Sequence, residues 1–347
     1  MRDEARARRS MKKLLTVPAL VLFLVGAALY ARREWSLPGN PAPEMLVEIP
    51  RGIGVRGIVR LLQEKGVIKN GHAALAYIFY SGSRNNLQAG EYLFDRPMTI
   101  PEVVGKLANG AIYLHRFTVP EGLTTAVIAR KWEEEGFGSE EEFVKASEAA
   151  LDSVRRFDEK AASVEGYLFP ETYSFPRRTT ARQAVQVMIA RFRQIAARLQ
   201  QTVPTQKWPL NLRDTVILAS LIEMEAAQAD ERPLVGSVYL NRLRLNILLQ
   251  CYPAVIYALE QAGRYRGKLT AADLQFNSPY NTYLNSGLPP GPITNPGYPS
   301  LVAAIQPAAT NYFYFVRTGE SRHIFSETLT AHNRAVAAYR RSRNAAN

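Results

Sequence analysis

Residues Val216-Ile-Leu-Ala-Ser-Leu-Ile-Glu-Met-Glu-Ala-Ala-Gln228 set two carboxylates, Glu223 and Glu225, in an otherwise apolar run. An ionised carboxylate among apolar neighbours is costly, so it is paired or its pKa rises. A glutamate with a raised pKa is a ready general acid, and the segment therefore points to acid–base chemistry. On a helix turning about 100° per residue, Leu218, Leu221, Ile222 and Glu225 share one face. Ala219, Ser220, Glu223 and Ala226 share the other. The large apolar face should meet a core, and the small side chains should leave room for a ligand over Glu223. Glu223 is therefore the predicted catalytic residue. Glu225 is predicted to be structural, bonded to a backbone amide or to an arginine such as Arg232 or Arg242. The competing reading makes both ordinary helix charges near an exposed end.

A Pro/Gly-rich stretch from Tyr280 to Gly297 is the second feature with chemical content. It holds Tyr280-Asn-Thr-Tyr283 and Gly287-Leu-Pro-Pro-Gly-Pro-Ile-Thr-Asn-Pro-Gly297. Rigid loops carrying Tyr, Asn and Thr suit carbohydrate, since aromatic faces stack on sugar rings and amides bond to hydroxyls. The alternative is a set of tight connections. His72, His115, His323 and His332 show no metal-ligand spacing, and Cys251 is the single cysteine. No metal, cofactor or internal disulfide is expected.

The elements that must position these residues alternate between helix and strand, which predicts an α+β fold. Strand–helix–helix–strand spacing runs from Val47 to Phe94, followed by a short helix over 100–109. Farther on, helices are predicted near 125–135, 140–151, 181–199 and 232–245, strands at 113–119 and 311–316 with 323–326 as its partner, and a last helix over 331–340. Gly66 and Gly110 mark helix ends.

The charge is uneven. Eight of the Lys/Arg residues lie in 1–33 against Asp3 and Glu4, which is half of the net charge of +12. Leu14–Tyr30 is uncharged and about 26 Å long as a helix. A basic tail at 1–13 before it predicts a single-pass anchor with the tail in the cytoplasm and the bulk of the chain outside. A cleaved signal peptide is the alternative. Pro38, Gly39, Asn40, Pro41 and Pro43 predict a linker over 31–45. Basic and aromatic residues do not interleave as in a nucleic-acid groove, and no nucleic-acid partner is expected.

The ordered motifs resemble those of the endolytic murein transglycosylases of the MltG/YceG type, from about Val47 to the C-terminus. They are Pro120-Glu-Gly122, Glu165-Gly-Tyr-Leu-Phe-Pro-Glu-Thr-Tyr173, Leu218-Ala-Ser-Leu-Ile-Glu-Met-Glu225, Glu231-Arg232 and Asn241-Arg-Leu243. Leu249-Gln250, Tyr280–Tyr283, Gly287–Ile293, Asn295-Pro-Gly297 and His332-Asn333 complete the set. The resemblance implies a LysM-like module at 46–110, a mixed α+β catalytic domain at 111–347 and placement in the inner membrane. It implies cleavage of the β-1,4 bond between N-acetylmuramic acid and N-acetylglucosamine, leaving 1,6-anhydro ends, with cell-wall synthases as possible partners. It places the acid on Glu223, and Gln250, Tyr280, Asn281 and Tyr283 are the expected sugar contacts. The chain departs from the family at Cys251-Tyr252, where a hydroxyl residue and Asp are usual. Two rivals stand beside this reading: a hydrolytic muramidase using Glu165 or Glu171 as second carboxylate, and a non-catalytic glycan-binding scaffold.

Overall fold

In the computed structural model, residues 2–318 and 322–345 are described, with side chains over 18–318 and 322–341. The fold is α+β, and the chain divides into two compact units, 1–115 with 176–178, and 116–175 with 179–347.

In the first unit, α1 (Arg2–Ser36) is one continuous helix. Leu20 to Val25, Leu29 and Tyr30 are exposed on it. Among the described residues, no helix is long and apolar enough to cross a membrane, and residues 14–17 of the expected anchor lie outside the described side chains. The linker expected over 31–45 is not a free tether. Its first six residues are helical, and the Trp35 indole donates to Ala73 O at 2.9 Å while stacking on Tyr80. The Gly39 amide bonds Met98 O and the Asn40 amide bonds Gly66 O, each at 2.9 Å. Composition favoured an open tether, but an aromatic contact and backbone pairing outweigh it.

The unit continues with β1 (Met45–Ile49), α2 (Val55–Glu64), α3 (Gly71–Tyr80), β2 (Gly90–Phe94) and α4 (Ile100–Ala108). β1 and β2 pair antiparallel, Met45 opposite Phe94 and Ile49 opposite Gly90. Alternation buries Val47 and Ile49 against Ile58, Leu62, Tyr92 and Phe94. Asn70 starts α3 by accepting the Ala73 amide at 3.1 Å.

The second unit runs β3 (His115–Thr118), α5 (Thr125–Glu134), α6 (Glu140–Ala149), α7 (Leu151–Arg155), β4 (Thr172–Phe175) and α8 (Ala181–Thr202). It goes on through α9 (Leu212–Glu225), α10 (Arg232–Arg244), α11 (Tyr252–Gln261), α12 (Tyr298–Ile305), β5 (Tyr314–Arg317), β6 (His323–Ser326) and α13 (Leu329–Ala345). β3 pairs with β4, and β5 with β6 antiparallel.

α9 is the central helix. Asn211 caps it by accepting the Asp214 amide at 2.9 Å. From Thr215 to Ile222 every residue is buried, with α10, α11 and α12 packed around it. A helix apolar on all sides belongs in a core. The one-sided helix expected from the sequence is therefore corrected: the small-residue face is covered too. Gly236 of α10 lets a neighbour approach closely, since a Cβ there would lie 3.0 Å from Ala303 O and 3.2 Å from an Ile222 methyl.

Candidate active site

α9 leaves the core at its last turn, where Ala226 turns extended and ends the helix. Glu223 and Glu225 sit there and line one cleft of about 810 Å³. Arg242 from α10, Gln250, Tyr252, Tyr283, the β5–β6 hairpin and α13 form the remaining wall. The two carboxylates were expected on opposite faces with only Glu223 open to a ligand. The helix end brings both to the same opening.

The space beside Ala219 and Ser220 is filled by the Pro/Gly loop of the chain itself. The Ile293 amide donates to the Ser220 hydroxyl at 3.1 Å. The Gly297 amide donates to Glu223 Oε2 at 2.9 Å. A Cβ on Gly297 would collide with the Glu121 carboxylate, which would have to move aside. Glu223 Oε1 accepts from Arg232 at 3.3 Å, and Arg232 also lies 3.9 Å from Glu121. Both oxygens of Glu223 are thus engaged by the protein. Burial, and then the charge of Glu223, push the Glu121 carboxyl above its ordinary pKa. Glu121 belongs to the Pro120-Glu-Gly122 turn, which the sequence offered only as a motif.

Glu225 has a different environment. The Tyr239 hydroxyl donates to its Oε1 at 3.4 Å, and the thiol of fully buried Cys251 is a second donor. Neither Arg232 nor Arg242, the partners expected from sequence, holds it. Burial raises the Glu225 pKa, while Cys251, the charge of His323 and Tyr239 pull the other way. Arg242 instead donates to the carbonyls of Phe313 at 2.6 Å, Leu248 at 3.0 Å and Leu249 at 2.9 Å. It ties α10 to the hairpin and to the segment carrying Gln250.

Of the four expected sugar contacts, the structure brings Gln250 and Tyr283 to the cleft. Gln250 has φ +54° without being glycine, a strained conformation of the kind found at ligand sites. Asn281 does not reach the cleft. It is 0% exposed, its amide donates to Leu274 O at 3.0 Å and Phe276 O at 2.8 Å, and its oxygen accepts the Tyr283 amide at 2.9 Å. Asn281 shapes the loop that presents Tyr283. Tyr280 packs against Tyr257, ring centres 5.0 Å apart, outside the cleft. Tyr252, which the sequence marked only as a departure, is 51% exposed on the cleft wall. It stacks on Tyr283 at 5.4 Å and 25°.

Glu165 and Glu171, the second carboxylates of the hydrolase reading, line no part of the cleft. Glu165 is buried and accepts the Thr125 amide at 3.0 Å and the Asn295 amide at 2.9 Å. Glu171 pairs with Arg191 at 2.6 Å. Missed from sequence is His323, which lines the cleft through β6. Its motif-like signal was a lone histidine before an aromatic strand.

The model of the YceG-like family matches residues 47–338. The chain belongs to the YceG-like family. An endolytic murein transglycosylase of Bacillus subtilis is 32% identical over 313 residues, covering 86% of this chain and 85% of that protein. The endolytic murein transglycosylase of Streptococcus pneumoniae is 28% identical over 87% of this chain, which spans 59% of that longer protein. The 2.6 Å crystal structure of a YceG-like protein from Listeria monocytogenes superposes with a TM-score of 0.58 at 31% identity, over 84% of this chain and 98% of the other.

Proposed function

We propose that this YceG-family chain is an endolytic murein transglycosylase. It cleaves the bond between N-acetylmuramic acid and N-acetylglucosamine within glycan strands, with Glu223 as proton donor. The observation that carries the acid assignment is the placing of Glu223 at the cleft wall, where the Gly297 amide and Arg232 orient its two oxygens. Glu225 lines the same cleft, tied to the Tyr239 hydroxyl and the Cys251 thiol as the structural neighbour.

One carboxyl group suffices for the reaction. Glu223 gives its proton to the glycosidic oxygen as the C1–O bond breaks. The sugar's C6 oxygen then bonds C1, and its proton returns to Glu223. The product ends in a 1,6-anhydro ring and no water is consumed. A hydrolase normally needs a second free carboxylate to activate water. With Glu165 and Glu171 elsewhere and Glu225 engaged by Tyr239 and Cys251, the hydrolytic reading is the weaker one. Tyr283 and Tyr252 offer a stacked aromatic wall for a sugar ring, with Gln250 beside them.

The first unit serves as a LysM-like glycan-binding module, a reading supported by its strand–helix–helix–strand order. The apolar, exposed run on α1 behind a basic tail serves as an inner-membrane anchor with the cleft outside the cytoplasm, where cell-wall synthases also work. The test is digestion of intact sacculi by wild type and Glu223→Gln, with muropeptides read by mass spectrometry. Wild type should yield anhydro ends, a water lighter than reducing ends, and the variant none. Reducing ends from wild type would establish hydrolysis instead, and unchanged strand length a scaffold.

A further inference from the structure

The departure at Cys251-Tyr252 is a motif feature that the chemistry at Glu223 leaves unused. Cys251 is fully buried, while Tyr252, the first residue of α11, stands on the cleft wall. One face of its ring lies against Tyr283, centres 5.4 Å apart and planes at 25°. With that face taken, its 51% exposure leaves the other face to the cleft. The segment carrying Tyr252 is tied to the loop carrying Tyr283. The Gln250 amide donates to Thr282 O at 3.1 Å, and the Cys251 amide donates to the Thr282 hydroxyl at 2.9 Å. Thr282 itself is buried. Each ring is thus one residue from a fixed link, and their stacking is set before any ligand arrives. An aromatic face held open in a cleft gains nothing from folding. A pyranose ring laid on it would take apolar area out of water on both partners, its C–H groups meeting the ring. Gln250 stands on the same wall, its oxygen bonded to Arg242 at 3.4 Å, and supplies an amide for a hydroxyl or an N-acetyl oxygen. An aspartate at position 252 would offer charge and hydrogen bonds but no face.

We propose that Tyr252, backed by Tyr283, is a specificity-determining residue whose open ring face stacks on a pyranose ring of the glycan strand. The proposal rests on the reading of the cleft as the glycan site. It adds a subsite that holds the strand by apolar contact and takes no part in the proton transfers of Glu223.

The test has two arms, both on the full chain. In the first, kcat and KM are measured on purified glycan strands for wild type, Tyr252→Ala, Tyr252→Phe and Tyr252→Asp, with melting temperatures alongside. Tyr252→Ala should raise KM about tenfold with kcat little changed, the size expected of one lost aromatic contact. Tyr252→Phe keeps the face and should stay within about twofold of wild type. Tyr252→Asp should match the alanine variant, and it decides the matter if Tyr252→Ala does not fold. The loss should be as large with short fragments that occupy only the cleft. In the second arm, isothermal titration measures binding of the same strands to Glu223→Gln with and without Tyr252→Ala, and the added change should raise Kd about tenfold. KM and Kd indifferent to the ring would overturn the proposal. So would a fall in kcat alone, or a phenylalanine variant as weak as the alanine one. If wild type leaves the strands intact, the transglycosylase reading fails, and the second arm still decides Tyr252: a Kd that depends on the ring upholds the subsite, and one that does not removes it.

Discussion

Glu223 and Glu225 are two positions apart, yet one is engaged by an arginine and a backbone amide and the other by a hydroxyl and a thiol. Glu223→Gln should lower turnover by about 10²–10⁴-fold, the usual contribution of a positioned proton donor. Glu225→Gln should lower it far less, and it should not lose stability at alkaline pH. The folded-state pKa of Glu225 is raised, so the folded protein holds that proton more tightly and loses stability as pH rises and the proton leaves. Glutamine removes that loss. Denaturant melts alongside product assays separate the two, and a dead but fully stable Glu225→Gln would move the acid to that position. Both carboxylates were legible in the sequence as unusual residues. What surrounds them was not: the helical-face argument left the space beside Ala219 and Ser220 to a ligand, and Ile293 and Gly297 occupy it from more than seventy residues away.

Helix starts with a side-chain cap were readable along the chain. Asn70, Ser139, Thr180 and Asn211 each accept an amide of the first turn. The helices α11 and α12 were not among the elements expected from sequence, although Pro253 and Pro299 stand in their first turns, where proline is a starting signal. α5 owes its start in part to a residue forty positions away, since Glu165 accepts the Thr125 amide and hydroxyl. No local pattern reports such a cap. Burial pushes the Glu165 pKa up to about 8 despite those donors. Between an ordinary glutamate value and that one, the folded state binds a proton that the unfolded chain releases, so stability falls as pH rises across the window. Chemical denaturation from pH 5 to pH 9 should show that decline in wild type and a flatter one in Glu165→Gln, by a few kcal/mol at the alkaline end. Equal slopes would mean that Glu165 stays ionised throughout. The loop is equally constrained at Gly297. Gly297→Ala should displace Glu121 or the loop and so weaken the bond to Glu223, lowering the melting temperature. An unchanged melting temperature would show that the loop gives way freely.

At the scale of the whole molecule, periodicity and punctuation carried the α+β class, and pairing across distance supplied what they lacked. The two units have separate cores, one around Tyr92 and Phe94 and the other around α9. Separate cores allow separate tasks. The first unit has its own groove of about 500 Å³, where Phe79 is 60% exposed and the Arg84 guanidinium lies 5.5 Å over its ring. An exposed aromatic ring with a cation beside it is poorly explained by folding, because burying neither stabilises the core, whereas a sugar ring laid on Phe79 would remove apolar area from water. Phe79→Ser should therefore leave the unit folded and raise KM for long glycan strands by about tenfold, equivalent to about 1.4 kcal/mol, with kcat unchanged. Short fragments that occupy only the cleft should show no difference between variant and wild type. The contrast between long and short substrates is the informative measurement. A defect seen equally with both, or a fall in kcat, would mean that the groove does not act as a separate hold on the strand, and the glycan-binding role of the first unit would be lost while the chemistry at Glu223 stood.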